Sequence, residues 1–190
     1  MIHSRKKSLS EPRRVGLDQL RSSLLPLAVS AWVRDSGSLT RAVTSACEGR
    51  FRVQLQSQGW GRALPGERAE LGMPSGVLSL VREVKLLCDD EPWVFARTLI
   101  PATSLRGAAR RLAHLGNRPL GAVLFSDPHT RRLGIQVARL TAQHALFHAA
   151  CSHLERLPRE IWGRRTLFSY AAKPLLVNEI FLPVIPERRK

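Results

Sequence analysis

Alternation of apolar and polar residues predicts a long β-hairpin over residues 80–101, with its turn at residues 89–92. One face of the first strand is apolar except for Arg82, which stands among Leu80, Val84, Leu86 and Cys88. A guanidinium that points into an apolar core is costly unless an anion meets it, so Arg82 indicates a buried ion pair or a binding site. A third interpretation is an arginine that extends to water from the sheet edge.

A second anomaly, of opposite charge, lies near the C-terminus. Residues 173–182 predict a strand in which Glu179 shares a face with Leu175, Val177 and Phe181. Two lone charges of opposite sign on apolar strand faces either pair with each other or hold the two ends of one polar ligand. The pattern does not choose between these alternatives.

The other periodicities predict helices and strands around these two features. We expect a helix within residues 17–34, with Pro26 near its start, and a second helix from Ser38 to Cys47. A strand over residues 51–56 precedes a long loop over residues 59–76. The later segments predict a helix over 104–115, a strand over 130–139, a helix over 141–156 and a hairpin formed by 162–170 and 173–182. This arrangement indicates an α+β fold, a single domain with a largely antiparallel sheet flanked by helices.

Length and composition fit one domain. The chain has 190 residues, of which 44% are hydrophobic and 24% are charged. No apolar run is long enough to span a membrane and the N-terminus lacks the apolar segment of a secretory signal, so we expect a cytoplasmic protein without stable membrane insertion. Residues 1–16 and 187–190 are basic and are expected to lie outside the domain, which covers residues 17–186.

The cysteines are odd in number and widely spaced along the chain, at Cys47, Cys88 and Cys151. A disulfide framework or a zinc site normally uses an even set or closely spaced pairs. We therefore expect three reduced thiols that are packed separately.

The charge of the chain is strongly positive, with 30 Lys and Arg against 15 Asp and Glu, a formal net charge of +15. Such a surplus attracts nucleic acid, an anionic lipid surface or an anionic small molecule. The basic residues are scattered, and the sparse aromatic residues do not interleave with them as on a surface that stacks single strands. The composition therefore favours an anionic small molecule and no nucleic acid.

Residue types that ligate metals recur along one face of the predicted helix over residues 141–156, at His144, His148, Cys151 and Glu155. A helix rises about 16 Å from the first to the last of them, too far for all four to share one tetrahedral shell. The sequence also lacks a glycine-rich phosphate loop and a serine elbow. We therefore expect no metal site here.

Several long blocks occur in a fixed order along the chain: VREVKLLCDDEPWVFARTLIP, LGNRPLGAVLF, IWGRR and KPLLVNEIFLP. In this order they resemble the chorismate lyase family, from about Leu17 to Pro186. The resemblance implies an antiparallel sheet with the ligand buried beneath helical flaps. It also implies the cofactor-independent elimination of pyruvate from chorismate to give 4-hydroxybenzoate, the first step of ubiquinone biosynthesis, by a protein that we expect to be a monomer.

The same resemblance assigns residues to the site. The substrate-binding arginine of the family falls on Arg82 and its acidic residue on Glu179, and apolar contacts fall on Leu120 and on Leu39, where the family has methionine. Arg82 would bind a carboxylate and offset charge on the departing enolpyruvyl group. Glu179 would either hydrogen-bond the ring hydroxyl or accept a proton. The His-rich segment over residues 140–161 is longer than is usual in the family and has no assigned role.

Two other classes of function remain open on the sequence. The effector domains of GntR-type transcription regulators share this general fold, so a non-catalytic ligand sensor is the alternative to an enzyme. Residues 1–16 are too few for a DNA-binding helix-turn-helix domain, which weighs against that reading. A basic scaffold for nucleic acid rests on charge alone.

Overall fold

The computed structural model describes residues 9–21 and 24–188, and its centre is an antiparallel sheet of seven strands with helices on both faces. The strands are β1 (Val15–Gly16), β2 (Phe51–Gly61), β3 (Ser79–Cys88), β4 (Glu91–Pro101), β5 (Arg131–Leu140), β6 (Ile161–Tyr170) and β7 (Lys173–Phe181), in the order β1-β5-β6-β7-β4-β3-β2. The α-helices are α1 (Leu27–Arg34), α2 (Leu39–Ala46), α3 (Pro65–Glu70), α4 (Leu120–Leu124) and α5 (Ala145–Cys151). Two 3-10 segments cover Ala102–Ser104 and Gly107–His114. The predicted fold class is confirmed.

The two hairpins predicted from alternation form the middle of the sheet. β3 and β4 pair through a turn at Asp89 and Asp90, and Asp89 adopts φ 53°, a left-handed conformation that aspartate tolerates. β6 and β7 pair along their full length in the second hairpin. Because β4 also pairs with β7, only β4 separates the strand of Arg82 from the strand of Glu179.

The predicted helices other than α2 are shorter than their apolar spacing indicated, whereas α2 is capped by Ser38 and Cys47 as predicted. α1 begins only after Pro26, and the predicted loop over residues 59–76 contains the end of β2 and the short helix α3. Gly107 has φ +55°, which interrupts the helix expected over residues 104–115 and leaves two 3-10 segments. Within the described residues, no helix is long and apolar enough to cross a membrane.

Two different layers cover the two faces of the sheet. On one face, α1 and α2 cover an apolar cluster that includes Trp32 and Val94, and the longer 3-10 segment and α4 cover another that includes Leu112 and Tyr170. On the opposite face, α5 contributes to a third cluster, and Leu71 and Met73, which follow α3, contribute to a fourth. Burying one large apolar side chain stabilises the fold by about 1.5–3 kcal/mol, so these clusters hold the helices against the sheet.

Part of the N-terminal segment contacts the sheet, although we predicted that all of residues 1–16 lie outside the domain. β1 pairs with β5, and Glu11 accepts a hydrogen bond from Arg165 Nη2 at 3.0 Å. The side chain of Arg165 is 3% exposed, and a buried guanidinium requires an anionic partner. The expectation is therefore corrected for residues 9–16, and residues 1–8 lie outside the described part of the chain.

The C-terminal segment also makes a contact that the sequence did not predict. Arg188 forms an ion pair with Asp35, and its guanidinium lies 5.3 Å from the ring centroid of Trp32. Burial would raise the pKa of Asp35, but hydrogen bonds from Arg188 and from the Gly37 N–H together lower it. Residues 189–190 lie outside the described residues.

Cys47 and Cys88 form a disulfide, which contradicts the prediction of three separate thiols. Cys47 directly follows α2 and Cys88 ends β3, and the fold brings their Cα atoms to 5.5 Å across a sequence separation of 41. Sequence spacing alone does not reveal such a pair. Cys151 remains a buried thiol, and burial raises its pKa to about 11.

We expect loss of this disulfide to lower the free energy of unfolding by about 2–4 kcal/mol, because the link restricts the unfolded chain. Urea unfolding with and without reductant measures the difference, and Cys47→Ser should make the protein insensitive to reductant. Alkylation of denatured, unreduced protein should modify Cys151 alone. Three alkylated cysteines would contradict the disulfide.

Candidate active site

A pocket lies on the face of the sheet that α2 and α4 cover. All of the residues predicted for the site line it: Arg82 on β3, Glu179 on β7, Leu39 at the start of α2 and Leu120 at the start of α4. The fold thus brings together side chains that are far apart in the sequence. Their roles remain predictions.

Strand register explains why the two charged side chains meet one pocket. Arg82 pairs with Thr98, and Ala96 pairs with Glu179 on the other side of β4. Side chains at directly paired positions point to the same face of a sheet. The apolar lining between the charges comes from Val53, Val84, Leu86, Ala96, Leu124, Phe125, Phe168 and Val177. An apolar slot with a polar group at each end suits a flat ring with polar substituents.

The helices α2 and α4 approach each other closely above the pocket. A Cβ atom at Gly121 would lie 2.9 Å from Ser38 Oγ and 3.1 Å from Thr40 Oγ1. The side chain of Ser38 also accepts a hydrogen bond from the Arg41 N–H and so begins α2, as predicted. Glycine at position 121 therefore allows the helices that supply Leu39 and Leu120 to meet.

Arg82 is 2% exposed and forms no ion pair with any carboxylate in residues 9–21 and 24–188. Its Nη2 donates to the carbonyl oxygens of Gly116 at 2.8 Å and Arg118 at 3.0 Å, whereas its Nε has no partner. Burial lowers the pKa of Arg82 below its ordinary value. The two carbonyls orient the guanidinium without neutralising it, so an anion in the pocket would be bound favourably.

Glu179 is held by Arg164, not by Arg82, so the two charges that the sequence singled out do not pair with each other. Glu179 and Arg164 are directly paired across β6 and β7, and Arg164 Nε donates to Glu179 Oε2. Nη1 of Arg164 donates to the carbonyl oxygens of Trp32 at 3.1 Å and Asp35 at 2.6 Å, at the C-terminal end of α1. Glu179 is therefore a charged acceptor of fixed orientation, and no described residue donates to its Oε1.

Arg132 is a further cation of the pocket, and the sequence pattern missed it. Strict alternation along the strand predicted over residues 130–139 would place Leu133, Ile135 and Val137 on one side, and thus Arg132 on the other side. An irregularity of the β-bulge type between Arg132 and Gly134 changes the register. Arg132 consequently pairs with Phe168, and both side chains line the pocket.

The His-rich segment lies away from the pocket, because α5 packs on the opposite face of the sheet. His144 Nδ1 accepts a hydrogen bond from the Thr141 N–H at 2.9 Å, and His148 Nε2 donates to the carbonyl oxygen of Ala142 at 2.7 Å. Burial lowers the pKa of His144. In the described part of the chain, no three His, Cys, Asp or Glu side chains are grouped so that they could hold a metal ion.

Solved structures agree with the fold. The C-terminal domain of the histidine utilization repressor from Pseudomonas syringae pv. tomato matches with a TM-score of 0.54 at 13% identity, covering 74% of this chain and 97% of that chain. A GntR-family transcriptional regulator from Enterococcus faecalis matches with a TM-score of 0.50 at 15% identity, covering 75% of this chain and 98% of that chain. At such identities the likeness shows the fold alone.

Sequence relatives are much more similar. A probable chorismate pyruvate-lyase from Methylococcus capsulatus is 43% identical over 157 residues, which cover 83% of this chain and 96% of the relative. Another from Pseudomonas aeruginosa is 42% identical over 166 residues, which cover 87% of this chain and 88% of the relative. The family model described as chorismate lyase matches residues 16–190. The chain therefore belongs to the chorismate lyase family.

Proposed function

We propose that this protein is a chorismate-pyruvate lyase, which eliminates pyruvate from chorismate and leaves 4-hydroxybenzoate, the first step of ubiquinone biosynthesis. The main support for the proposal is the pocket of this member of the chorismate lyase family. It places a buried, unneutralised Arg82 and a fixed carboxylate, Glu179, around one apolar slot.

The chemistry of chorismate matches such a pocket. Chorismate is a cyclohexadiene with a carboxylate on C1, a hydroxyl on C4 and an enolpyruvyl ether on the neighbouring C3. Breaking the C3–O bond with loss of the C4 proton leaves an aromatic ring. The proton lost from the ring is balanced by the one gained at the methylene carbon of the departing group, which becomes the methyl group of pyruvate. The elimination changes no net oxidation state and therefore needs no redox cofactor.

Arg82 and Glu179 would hold the two ends of the ring. The guanidinium of Arg82 binds the C1 carboxylate through parallel charge-assisted hydrogen bonds. At the opposite end, Glu179 accepts a hydrogen bond from the C4 hydroxyl through Oε1, because its Oε2 is already bonded to Arg164. Of the two roles that the sequence left open for Glu179, the geometry favours hydrogen bonding over proton removal.

The apolar side chains supply the rest of the catalysis by fixing the conformation of the substrate. Leu39 and Leu120 reach the pocket from the two covering helices and would contact the ring. A ring held between apolar walls and two charged ends is restricted to conformations near the reactive one, and such restriction accounts for several kcal/mol of a barrier in well-oriented reactions, up to about 7–11. The net charge of +15 would attract the dianionic substrate to a protein that we expect to be a cytoplasmic monomer.

Turnover tests the proposal. With chorismate, the protein is expected to release 4-hydroxybenzoate, followed by ultraviolet absorbance, and an equal amount of pyruvate, followed by a coupled reduction. Activity should survive EDTA, because the proposed chemistry uses only side chains. Loss of turnover in EDTA that zinc restores would contradict this mechanism.

A non-catalytic ligand sensor is the second candidate, because regulatory domains of the GntR type share the fold. The same experiment separates the two functions. Saturable binding of chorismate without release of either product would support the sensor and refute the lyase.

A further inference from the structure

We propose that Arg132 binds the second carboxylate of the substrate, the one on the enolpyruvyl group, and so distinguishes substrate from product. This inference rests on the proposed lyase function, since it concerns the same pocket. Arg132 lines that pocket together with Arg82 and Glu179. From the sequence, Arg82 was expected to bind a carboxylate and to offset charge on the departing group, and no residue was predicted for a second carboxylate.

The guanidinium of Arg132 is positioned but not neutralised. Its Nη1 and Nη2 donate to the backbone carbonyls of Ser36 and Gly37, the latter at 3.1 Å, and its buried Nε has no partner. Its central carbon lies 5.7 Å from the ring centroid of Phe125 and 5.3 Å from that of Phe168. It forms no ion pair with a carboxylate in the part of the chain that the structure describes. The two carbonyls and the two aromatic rings thus hold the Arg132 guanidinium in place, and its Nε–H remains able to donate to a ligand.

Arg132 lies at the Glu179 end of the pocket, because it donates to the carbonyls of Ser36 and Gly37, directly after the Asp35 carbonyl that accepts from Arg164, the partner of Glu179. Burial and the nearby charge of Arg164 lower the pKa of Arg132, while the carboxylates of Glu179 and Asp35 act in the opposite direction. In chorismate, the enolpyruvyl ether is on the ring carbon next to the one that carries the hydroxyl. A substrate whose hydroxyl meets Glu179 and whose ring carboxylate meets Arg82 therefore presents its second carboxylate at the end where Arg132 stands.

The two arginines should bind substrate and product differently, because the two ligands carry different numbers of carboxylates. Chorismate is a dianion, and the pocket offers two guanidinium groups without carboxylate partners, those of Arg82 and Arg132. After the C3–O bond breaks, 4-hydroxybenzoate keeps one carboxylate and pyruvate takes the other. Arg132 therefore binds the substrate and offsets charge on the leaving group, but it does not hold the aromatic product.

The test is Arg132→Gln, with steady-state kinetics on chorismate and calorimetric binding of 4-hydroxybenzoate. We expect kcat/KM for chorismate to fall by about 10- to 100-fold, because a charge-assisted contact is lost. Affinity for 4-hydroxybenzoate should change by less than about 3-fold, because the product does not reach this arginine. Arg82→Ala should weaken both ligands.

Arg131→Gln is the matched control. Arg131 is the exposed neighbour on the same strand, so the variant removes the same charge from the surface without altering the pocket. It should leave kcat/KM within about 3-fold of wild type, as expected for a screened surface charge. A fall in Arg132→Gln no larger than in Arg131→Gln would overturn the proposal.

Equal weakening of chorismate and 4-hydroxybenzoate would also overturn it, because Arg132 would then only shape the pocket. The calorimetric stoichiometry gives the folded fraction, by which kcat is corrected, and the calorimetric Kd does not depend on that fraction, so a destabilised variant still gives an answer. Absence of turnover in the unmodified protein would instead refute the lyase function. In that case, the ratio of the affinities for chorismate and 4-hydroxybenzoate, compared between Arg132→Gln and the unmodified protein, would still decide whether Arg132 binds the second carboxylate.

Discussion

Replacement of Arg82 by alanine is expected to lower kcat/KM for chorismate by about 10²- to 10³-fold while changing the melting temperature only slightly. The variant loses the contact with the ring carboxylate, but it also loses a buried charge that no carboxylate of the described residues offsets. The carbonyls of Gly116 and Arg118 lose a donor, at a cost of about 1 kcal/mol each. Kinetics and thermal unfolding on one preparation measure both effects.

Two further variants show what Arg82 contributes. Arg82→Lys keeps the charge without the planar fork, so it should bind chorismate more weakly than wild type if recognition is bidentate. Lys85→Met removes another buried cation of β3, from the opposite face of the sheet, and should leave kcat/KM unchanged. The site assignment would be refuted if Arg82→Ala melted far below wild type and its folded fraction kept the wild-type activity.

The strands were easier to predict than the helices for a physical reason. Alternation over residues 80–101 and 162–182 records which side of each strand is buried, and the hairpin turns follow directly from sequence proximity. The pairing of β4 with β7 joins distant segments and depends on packing that no local pattern contains. Apolar spacing reveals the buried side of a helix but not its ends, so α5 covers only Ala145–Cys151 of the helix predicted over residues 141–156.

The candidate site was predictable where a charge interrupts an apolar face, and elsewhere it was not. Arg82 and Glu179 stood out for that reason, and the structure places both at one pocket. Arg132 was missed because strict alternation fails at the bulge beside it. Arg164 was also missed, since its importance depends on backbone carbonyls of α1 that lie far away in the sequence.

Arg164 and its neighbour Arg165 show how one strand supports both faces of the sheet. Their side chains are 1% and 3% exposed and point in opposite directions. Arg164 orients Glu179 in the pocket. Arg165 donates to Asn178 Oδ1 at 2.9 Å and to Glu11 at 3.0 Å on the other face, away from the pocket. Arg164 therefore has a positioning role for the site, whereas the role of Arg165 is purely structural.

Arg164→Met should lower the free energy of unfolding by about 3–5 kcal/mol, because it leaves a largely buried carboxylate without its cation. The side chain of Glu179 is only 14% exposed, and the carbonyls at the end of α1 lose their donor as well. The variant should also lower kcat/KM, since nothing then fixes the acceptor for the ring hydroxyl. Urea unfolding and steady-state kinetics measure the two losses.

The double variant Arg164→Met with Glu179→Leu separates stability from activity. An apolar pair of similar volume often replaces a buried ion pair without loss, so most of the stability should return while activity stays low. Arg165→Met is the control, because it should lower stability but leave KM for chorismate unchanged in the protein that remains folded. If Arg164→Met instead kept the wild-type KM and kcat, Glu179 would not need its partner, and a positioning role for Arg164 would be excluded.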